Sequence, residues 1–217
     1  MGGNLASPPN GRMKLPRHTE LARQVLAHLE GWGFPTEVQR RLGVLIVVWG
    51  VFETNLEVAL WALRGEQVEG VRPSTDKTQL SAWIKELGGP WPNLPDEAQA
   101  VLETAARTAD DLMQYRHSVL HGWMLPSPTM PTFIRNPRWH GEDRKRPSHD
   151  AHIDENLLDM AVAAAWTLCQ VVIAVPAVCA DPAKMTDLVD LKSDVARAAS
   201  SANELRHLTA LMNDDKY

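Results

Sequence analysis

The sequence predicts an all-α protein, an up-and-down bundle of four long helices with several short ones. Apolar residues recur every three or four positions along most of the chain, and a two-residue alternation appears in one loop alone. Stretches rich in glycine and proline separate these periodic segments. The length of 217 residues suits one hydrophobic core. We therefore assign a single helical domain to residues 17–217, after a disordered lead-in over residues 1–16.

The first half of the chain carries three predicted helices. A short helix is expected from His18 to Glu30, where two glycines follow. A long helix is expected from Thr36 to Arg64, with apolar residues in steps of three and four and with Thr36 as its N-cap. Ser74 or Thr75 then caps a shorter helix that ends at Leu87, directly before a Gly-Gly-Pro sequence.

The second half carries the other long helices and a long loop. One helix starts near Asp96 and stops at Gly122. The segment from Leu125 to His152 is rich in proline and basic residues, which predicts a loop with a short hairpin around Thr132 to Ile134. Long loops inside compact domains are often functional. The remaining helices are an apolar one from about Asp154 to Ala180 and a final amphipathic one from Leu188 to Leu208.

Composition narrows the function classes. The formal net charge of −5 argues against a broad surface that coats nucleic acid, although a local basic patch is compatible with it. Cys169 and Cys179 lie ten residues apart in an apolar run and suggest no disulfide framework, which indicates a reducing cytosol. Residues 1–16 contain no apolar segment of the kind found in signal peptides. We therefore expect a cytoplasmic protein.

One segment has the length of a membrane span. Residues Met160 to Ala180 carry no charge, and about 20 apolar residues are enough to cross a bilayer. However, the segment is rich in alanine and contains Thr167 and Gln170. It is flanked by aspartates, whereas basic residues mark the cytoplasmic end of a span. We interpret it as the central buried helix of the bundle and expect no membrane association.

The segment Tyr115 to Trp123 is the most informative in the chain. It combines a permanent cation, Arg116, with two histidines that exchange protons near neutral pH. Arg116 continues the inner stripe of its helix, where a cation costs free energy unless it is paired or faces a polar cleft. In one reading it is buried in a pair with a carboxylate; in the other it lines a cleft that binds an anion such as phosphate. The candidate carboxylates are Glu53, Glu57 and Asp111.

His121 supplies proton chemistry in the second reading. RNA cleavage requires that the 2′-hydroxyl is deprotonated, that the leaving 5′ oxygen is protonated and that the charge on the phosphorane is stabilised. A histidine can act as general acid or base near pH 7, and an arginine can stabilise the charge without a metal. On a continuous helix, Arg116 and His121 point about 140° apart. They converge only where the helix breaks before Gly122 or where two chains bring their motifs together, so we expect a homodimer.

This pattern resembles the motif of the HEPN superfamily, in which a polar residue follows an arginine and a histidine comes four to six positions after that arginine. Here it reads Arg116-His117-Ser118-Val119-Leu120-His121, followed by Gly122-Trp123 as in bacterial members. The resemblance implies a helical bundle, often dimeric, and a ribonuclease that needs no metal or other cofactor. It also implies a toxin–antitoxin or anti-phage system, with RNA as substrate and an antitoxin as partner. Arg116 and His121 are then catalytic, and His117 is the auxiliary polar residue, where asparagine or aspartate is more usual.

Two further sets of residues are candidates for the site. Glu53 and Glu57 lie one turn apart on the long helix. In one interpretation both lie on a solvated helix face. In the other, one of them, preferably Glu53, orients Arg116 or a catalytic histidine. The loop after the motif interleaves basic and aromatic residues. This pattern is typical of a solvated loop or of a surface for single-stranded nucleic acid, which takes phosphate contacts and base stacking. The predicted substrate-binding residues are Arg135, Arg138, Trp139, Arg144, Lys145 and Arg146.

Two alternatives to a nuclease remain open. Asp110, His117 and His121 are spaced seven and four apart and share one face of a continuous helix, where histidines at i and i+4 can hold zinc. A helix unbroken through His121 favours this metal site, whereas a break or a dimer seam favours phosphate chemistry. Many HEPN members are inactive, so the other alternative is a non-catalytic helical module that binds protein or nucleic acid. Further metal ligands could come from His140, His149 or His152.

Overall fold

The computed structural model describes residues 16–125, 132–135 and 150–214, with side chains up to residue 209. The predicted lead-in lies outside this part of the chain, except for its last residue. Most of the predicted loop after the motif also lies outside it. The candidate residues that fall there are Arg138, Trp139, His140, Arg144, Lys145, Arg146 and His149.

Helices form most of the described chain, which confirms the all-α fold class. The long helices begin and end within a few residues of the predicted bounds. They are α2 (Thr36–Arg64), α4 (Asp96–His121), α5 (Glu155–Ala180) and α7 (Lys192–Asp214). The short helices are α1 (Arg17–Gly31), α3 (Leu80–Leu87) and α6 (Met185–Val189), with 3-10 turns at Ser74–Lys77 and Pro182–Lys184.

Contacts between the long helices confirm the up-and-down order. Near the start of both helices, Arg41 of α2 pairs with Asp159 of α5, and further along the Cys169 thiol donates to the Val48 carbonyl. Helices α2 and α5 therefore run in the same direction. Helix α4 runs the opposite way, because its first half packs on α3 beside the end of α2 and its last turns reach the middle of α2. Helix α7 packs against both α4 and α5.

The core lies where the inner stripes of these helices meet. On α2 and α4 the buried positions step by three and four, as the apolar spacing predicts. Burial of each leucine or phenylalanine side chain contributes roughly 1.5–3 kcal/mol, so the stripes account for much of the stability of the bundle. The buried stripe residues include Leu45, Trp49, Phe52, Leu56 and Leu60 of α2, and Leu102, Ala105, Ala109 and Leu112 of α4.

The predicted helix from Ser74 or Thr75 to Leu87 is wrong in its first half. Residues 74–77 form a 3-10 turn, and the two residues after it are extended before α3 begins. Thr75 does not cap a helix. Its buried hydroxyl donates to Glu57 Oε1 at 2.6 Å and accepts from a tryptophan of α2. A tertiary contact with α2 thus replaces the local cap.

The starts of α2 and α5 differ in their capping. Thr36, predicted as an N-cap, is instead the first helical residue of α2, and Pro35 occupies the cap position. The Thr36 hydroxyl donates to the Glu30 carboxylate. At the start of α5, the Asp154 carboxylate accepts the Leu157 N–H at 2.7 Å, which is the usual role of an aspartate N-cap.

Two helices, α2 and α5, are long and apolar enough to cross a membrane by length and composition alone. Within the most apolar 18-residue window of each helix, 44% is buried inside the protein for α5 and 28% for α2. Core helices pass the same test, and α5 packs against α2, α4 and α7 at the centre of the bundle, as we expected for Met160 to Ala180. The apolar and more exposed character of α2 was not predicted.

A three-stranded antiparallel sheet follows the motif helix. Its strands β1 (Trp123–Leu125), β2 (Thr132–Ile134) and β3 (Ala151–His152) pair in that order. The prediction of a hairpin around β2 is confirmed, but β3 was missed because two residues carry no readable periodicity. The Tyr115 hydroxyl donates to the His152 carbonyl at 3.1 Å and ties the sheet to α4.

Candidate functional site

Arg116 lies on the inner side of α4, near its C-terminal end. Its side chain is 20% exposed, and one guanidinium nitrogen lies 4.0 Å from Glu53 Oε1, at the outer limit of an ion pair. The guanidinium carbon lies 5.9 Å from the centre of the Trp49 ring, within cation–π range. Among the described residues, Arg116 Nε is the one buried side-chain nitrogen or oxygen without a hydrogen-bond partner. The guanidinium is therefore held by Glu53 and Trp49 without being fully hydrogen-bonded.

Glu53 is the carboxylate that α2 brings to the arginine. Trp49, one turn earlier, donates its indole N–H to Glu53 Oε1 at 2.5 Å and so positions the carboxylate. The other predicted carboxylates are engaged elsewhere. Glu57 accepts the Thr75 hydroxyl, and Asp111 pairs with an arginine of α7 at 3.2 Å. Burial raises the pKa of Asp111.

His117 and His121 face each other across one turn of α4, with ring centres 5.7 Å apart. His117 is half-buried and His121 is exposed. Burial lowers the pKa of His117, and the charges of Arg116, Arg135 and His121 lower it further. His117 is therefore neutral at pH 7 and can accept a proton. These interactions indicate that four basic side chains lie near one another at this end of α4, namely Arg116, His117, His121 and Arg135.

Helix α4 is continuous through His121 and ends there, with Gly122 as its C-cap. In this described segment the helix has no break before Gly122. Such a break would be needed for Arg116 and His121 to converge within one chain. Arg116 instead points towards α2, and His121 points to solvent. Of the two geometries expected from the sequence, the break within one chain is not observed, and the seam between two chains stays a prediction.

The sheet adds Arg135 to the site. Arg135 follows β2, and its backbone N–H donates at 3.1 Å to Asp150, a fully buried carboxylate that holds this end of the strand. On β3, His152 Nδ1 lies 2.9 Å from the Thr132 hydroxyl. Burial lowers the pKa of His152, against the opposing charge of Asp154. Arg135 is the one predicted substrate-binding residue that lies within the described chain.

Within the described residues, the alternative metal site does not assemble. Asp110 precedes His117 by seven residues, which on a helix corresponds to a rise of about 10.5 Å, too far for two ligands of one ion. The described residues contain no group of three histidine, cysteine, aspartate or glutamate side chains that could hold a metal. His152, one of the proposed extra ligands, is hydrogen-bonded to Thr132. An unbroken α4 is therefore not enough to support a metal site at Asp110, His117 and His121.

A surface cleft of about 800 Å³ lies between α3, α4 and α7, away from the motif. Three cations (Lys85, Arg107 and Arg206) and three carboxylates (Glu103, Asp110 and Asp111) line it. Of these charges, Arg206 and Asp111 form an ion pair.

Sequence reasoning missed the contribution of two tryptophans. Trp49 belongs to the apolar stripe of α2, and its position one turn before Glu53 was a signal that it could hold the carboxylate. Trp123 is 56% exposed directly after the motif. The exposure of its ring depends on the pairing of β1, which the sequence does not reveal. No protein-family model matches the chain, and comparisons with curated proteins and with solved structures find no match.

Proposed function

We propose that this protein is a metal-independent endoribonuclease of the HEPN type, with an active site at a seam between two copies of the chain. The observation that carries the proposal is the environment of Arg116. The side chain is mostly buried, its carboxylate partner is 4.0 Å away and its Nε has no partner. A buried donor left unpaired costs about 1–3 kcal/mol, which a nearby acceptor would offset. A phosphate group at the exposed part of the guanidinium is a suitable partner for this side chain.

The proposed reaction is an internal transesterification of RNA. His117, which is neutral at pH 7, takes the proton of the 2′-hydroxyl, and the 2′ oxygen attacks the adjacent phosphorus. Arg116 stabilises the negative charge of the phosphorane. His121 gives a proton to the 5′ oxygen as the P–O5′ bond breaks. The products are a 2′,3′-cyclic phosphate and a free 5′-hydroxyl, and the step consumes neither water nor a metal ion.

The seam follows from the direction of the side chains. Because Arg116 and His121 leave the continuous helix about 140° apart, the histidines of one copy serve the arginine of the other. Helix α2 offers the surface for such pairing. Residues 42–52 of α2 carry no charge, and Val47 is 66% exposed. Ile46, 44% exposed, lies one turn before Trp49, so the edge of this surface at Ile46 is the part nearest the arginine site.

Incubation of the purified protein with RNA in EDTA tests the proposal. We expect cleavage to persist in EDTA, to leave 2′,3′-cyclic phosphate ends and to be lost in Arg116→Ala and in His121→Ala. Removal of one group that acts in the transition state lowers the rate on the order of 100- to 10,000-fold. Arg107→Ala, on an exposed position of the same helix, and His207→Ala, exposed on α7, are matched controls and should retain full activity.

The other outcomes discriminate among the alternatives. Cleavage that disappears in EDTA contradicts the proposed mechanism and favours the alternative in which the protein binds a metal ion. No cleavage by folded wild-type protein contradicts the nuclease assignment and favours the non-catalytic binding module. Equal loss of activity in the control variants would show that the effect is not specific to the motif.

A further inference from the structure

Helix α1 has an apolar side that no described part of the chain covers. None of its 15 residues is buried. Leu21 and Val25 lie on one side of the helix and are 52% and 57% exposed, and Trp32 continues this side at 47% exposed. A helix of about 15 residues is marginally stable in water by itself, and most helices in proteins depend on packing of their apolar side. The apolar side of α1 therefore indicates a partner surface.

The turn after α1 fixes the direction of the helix. Gly33 has a φ of 83°, in the left-handed region that glycine adopts readily. The Phe34 N–H donates to the Leu29 carbonyl at 3.0 Å, and the side-chain amide of Gln39 donates to the Phe34 carbonyl at 2.7 Å. Phe34 is buried, and its ring packs edge-on against Phe133 of β2. Helix α1 is therefore an arm whose base is fixed to the bundle.

The same chain exposes a second apolar surface of matching length on α2. Its exposed valines follow steps of three, four and seven residues, and they are Val44, Val47, Val51 and Val58. Residues 42–52 carry no charge. The valines span about 21 Å of helix, and the 15 residues of α1 span about as much. The side chains of two such surfaces can interdigitate as in other helix pairs.

We infer that α1 of each copy packs on the exposed valines of α2 in the other copy, so that two exchanged arms hold the dimer together. The inference names the contact at the proposed dimer surface; it rests on the proposed function for the dimer alone and not for RNA cleavage. Under two-fold symmetry, each α1 lies on the α2 of the other chain, so both apolar surfaces are covered and the assembly closes at two chains. A different protein bound at α1 would leave the valines of α2 uncovered.

The base of the arm lies at the same end of the molecule as the motif. Phe133, which packs on Phe34, also lies against the end of α4, because a Cβ atom at Gly122 would lie 2.8 Å from Phe133 Cβ. The arm thus leaves the bundle beside the end of α4. A copy that holds the arm is tethered next to this motif, as the proposed seam between two chains requires.

Disulfide cross-linking between two variants tests the exchange. Cys179, the exposed native thiol, is first replaced by serine, and Cys169 is buried. A Val25→Cys protein is then oxidised with copper(II) phenanthroline in a mixture with each of three partners, Val44→Cys, Val47→Cys and Val51→Cys. Because a disulfide forms only where two Cα atoms come within about 7 Å, we expect a covalent mixed dimer with at least one of the three.

Ala27 provides the matched control in two experiments. It is exposed on the opposite side of α1 from Val25, so Ala27→Cys should form no mixed dimer with the same three partners. In sedimentation velocity, Val25→Glu should weaken self-association on the order of 10-fold or more, since it would bury an unpaired carboxylate in an apolar contact. Ala27→Glu should sediment as the wild type does. Circular dichroism checks that both variants are folded.

The outcomes separate this inference from the proposed function. If Val25→Cys links to none of the three α2 positions, or only to another copy of itself, the exchange is wrong even if RNA is cleaved. A Val25→Glu protein that sediments as the same dimer as Ala27→Glu also overturns it. If the cross-link forms but the protein cleaves no RNA, the exchanged arms stand and the nuclease assignment fails. A wild type that is monomeric overturns both the exchange and the seam.

Discussion

At the scale of single residues, Arg116 and His117 owe their properties to neighbours from other elements. Arg116 meets Glu53 and Trp49 of α2, and it retains an unpaired Nε. A tight ion pair would satisfy the guanidinium and leave little for a ligand, whereas a carboxylate at 4.0 Å orients it without saturating it. His117 is kept neutral by burial and by nearby positive charges. In the proposed dimer, Arg116 of one copy offers the anion site and His117 of the other copy offers the base.

The first prediction concerns the effect of His117 on stability. Because its pKa is lowered in the folded protein, the unfolded chain binds a proton at higher pH than the native state does. His117 therefore leaves stability unchanged above about pH 6.5 and reduces it as pH falls below that value. Chemical denaturation of the wild type and of His117→Asn at pH 7.5 and 5.5 measures this. The variant should lose less unfolding free energy on acidification, and an equal loss in both proteins would contradict the prediction.

At the scale of elements, the turn between α4 and β1 is the tightest point in the site. Gly122→Ala places a Cβ against the Ser118 carbonyl and Phe133. Since backbone must move to relieve such a contact, we expect a loss of about 1–3 kcal/mol in stability and a shift of the motif relative to the sheet. Thermal unfolding measures the first effect and RNA cleavage the second.

Gly31→Ala is the control for this prediction. The Gly31 Cβ position has no heavy atom within 4 Å, and its φ is not positive, so alanine fits there without strain. Its melting temperature should stay within about 2 °C of the wild type, in line with a change below 0.5 kcal/mol. A Gly122→Ala variant as stable as Gly31→Ala would mean that the close packing of β2 against the end of α4 is not rigid.

The elements differ in how well the sequence predicts them. Helices α2, α4 and α5 follow from apolar spacing because each buries one continuous stripe, which leaves a repeated signal along the chain. The segment from Ser74 was misread because the role of Thr75 depends on Glu57 and Trp61 of another helix. Strand β3 was missed because its two residues are too few for a readable alternation and because its pairing partners are distant in sequence.

The same reasoning separates the predictable part of the site from the rest. The sequence predicts the relative directions of the Arg116, His117 and His121 side chains, because the three lie within six residues of one helix, where their spacing determines those directions. The pairing of Arg116 with Glu53 was one of three options, and the packing of α2 beside α4 decides among them. The placement of Arg135 next to His117 depends on strand register, which short-range patterns do not encode.

At the scale of the whole molecule, the exposed apolar side of α2 predicts self-association. Val47→Glu puts a charge at the centre of this surface and should shift the protein from dimer to monomer in sedimentation velocity, with cleavage lost in parallel. Ile173→Glu is the matched control, because Ile173 is 48% exposed on α5, away from the arginine site. A Val47→Glu protein that still sediments as a dimer, or a wild type that is monomeric at micromolar concentration, would rule out this surface.

The two-chain site also predicts that inactive variants restore each other. In a mixed dimer of Arg116→Ala with His121→Ala, one seam combines the intact arginine of one copy with the intact histidines of the other. The second seam lacks both Arg116 and His121. Co-expression in equal amounts yields half mixed dimers with one working site of two, so the preparation should reach about a quarter of the wild-type rate. Each variant alone should stay inactive. A mixture no more active than its parents would show that Arg116 and His121 act within one chain, and that α4 rearranges when RNA binds.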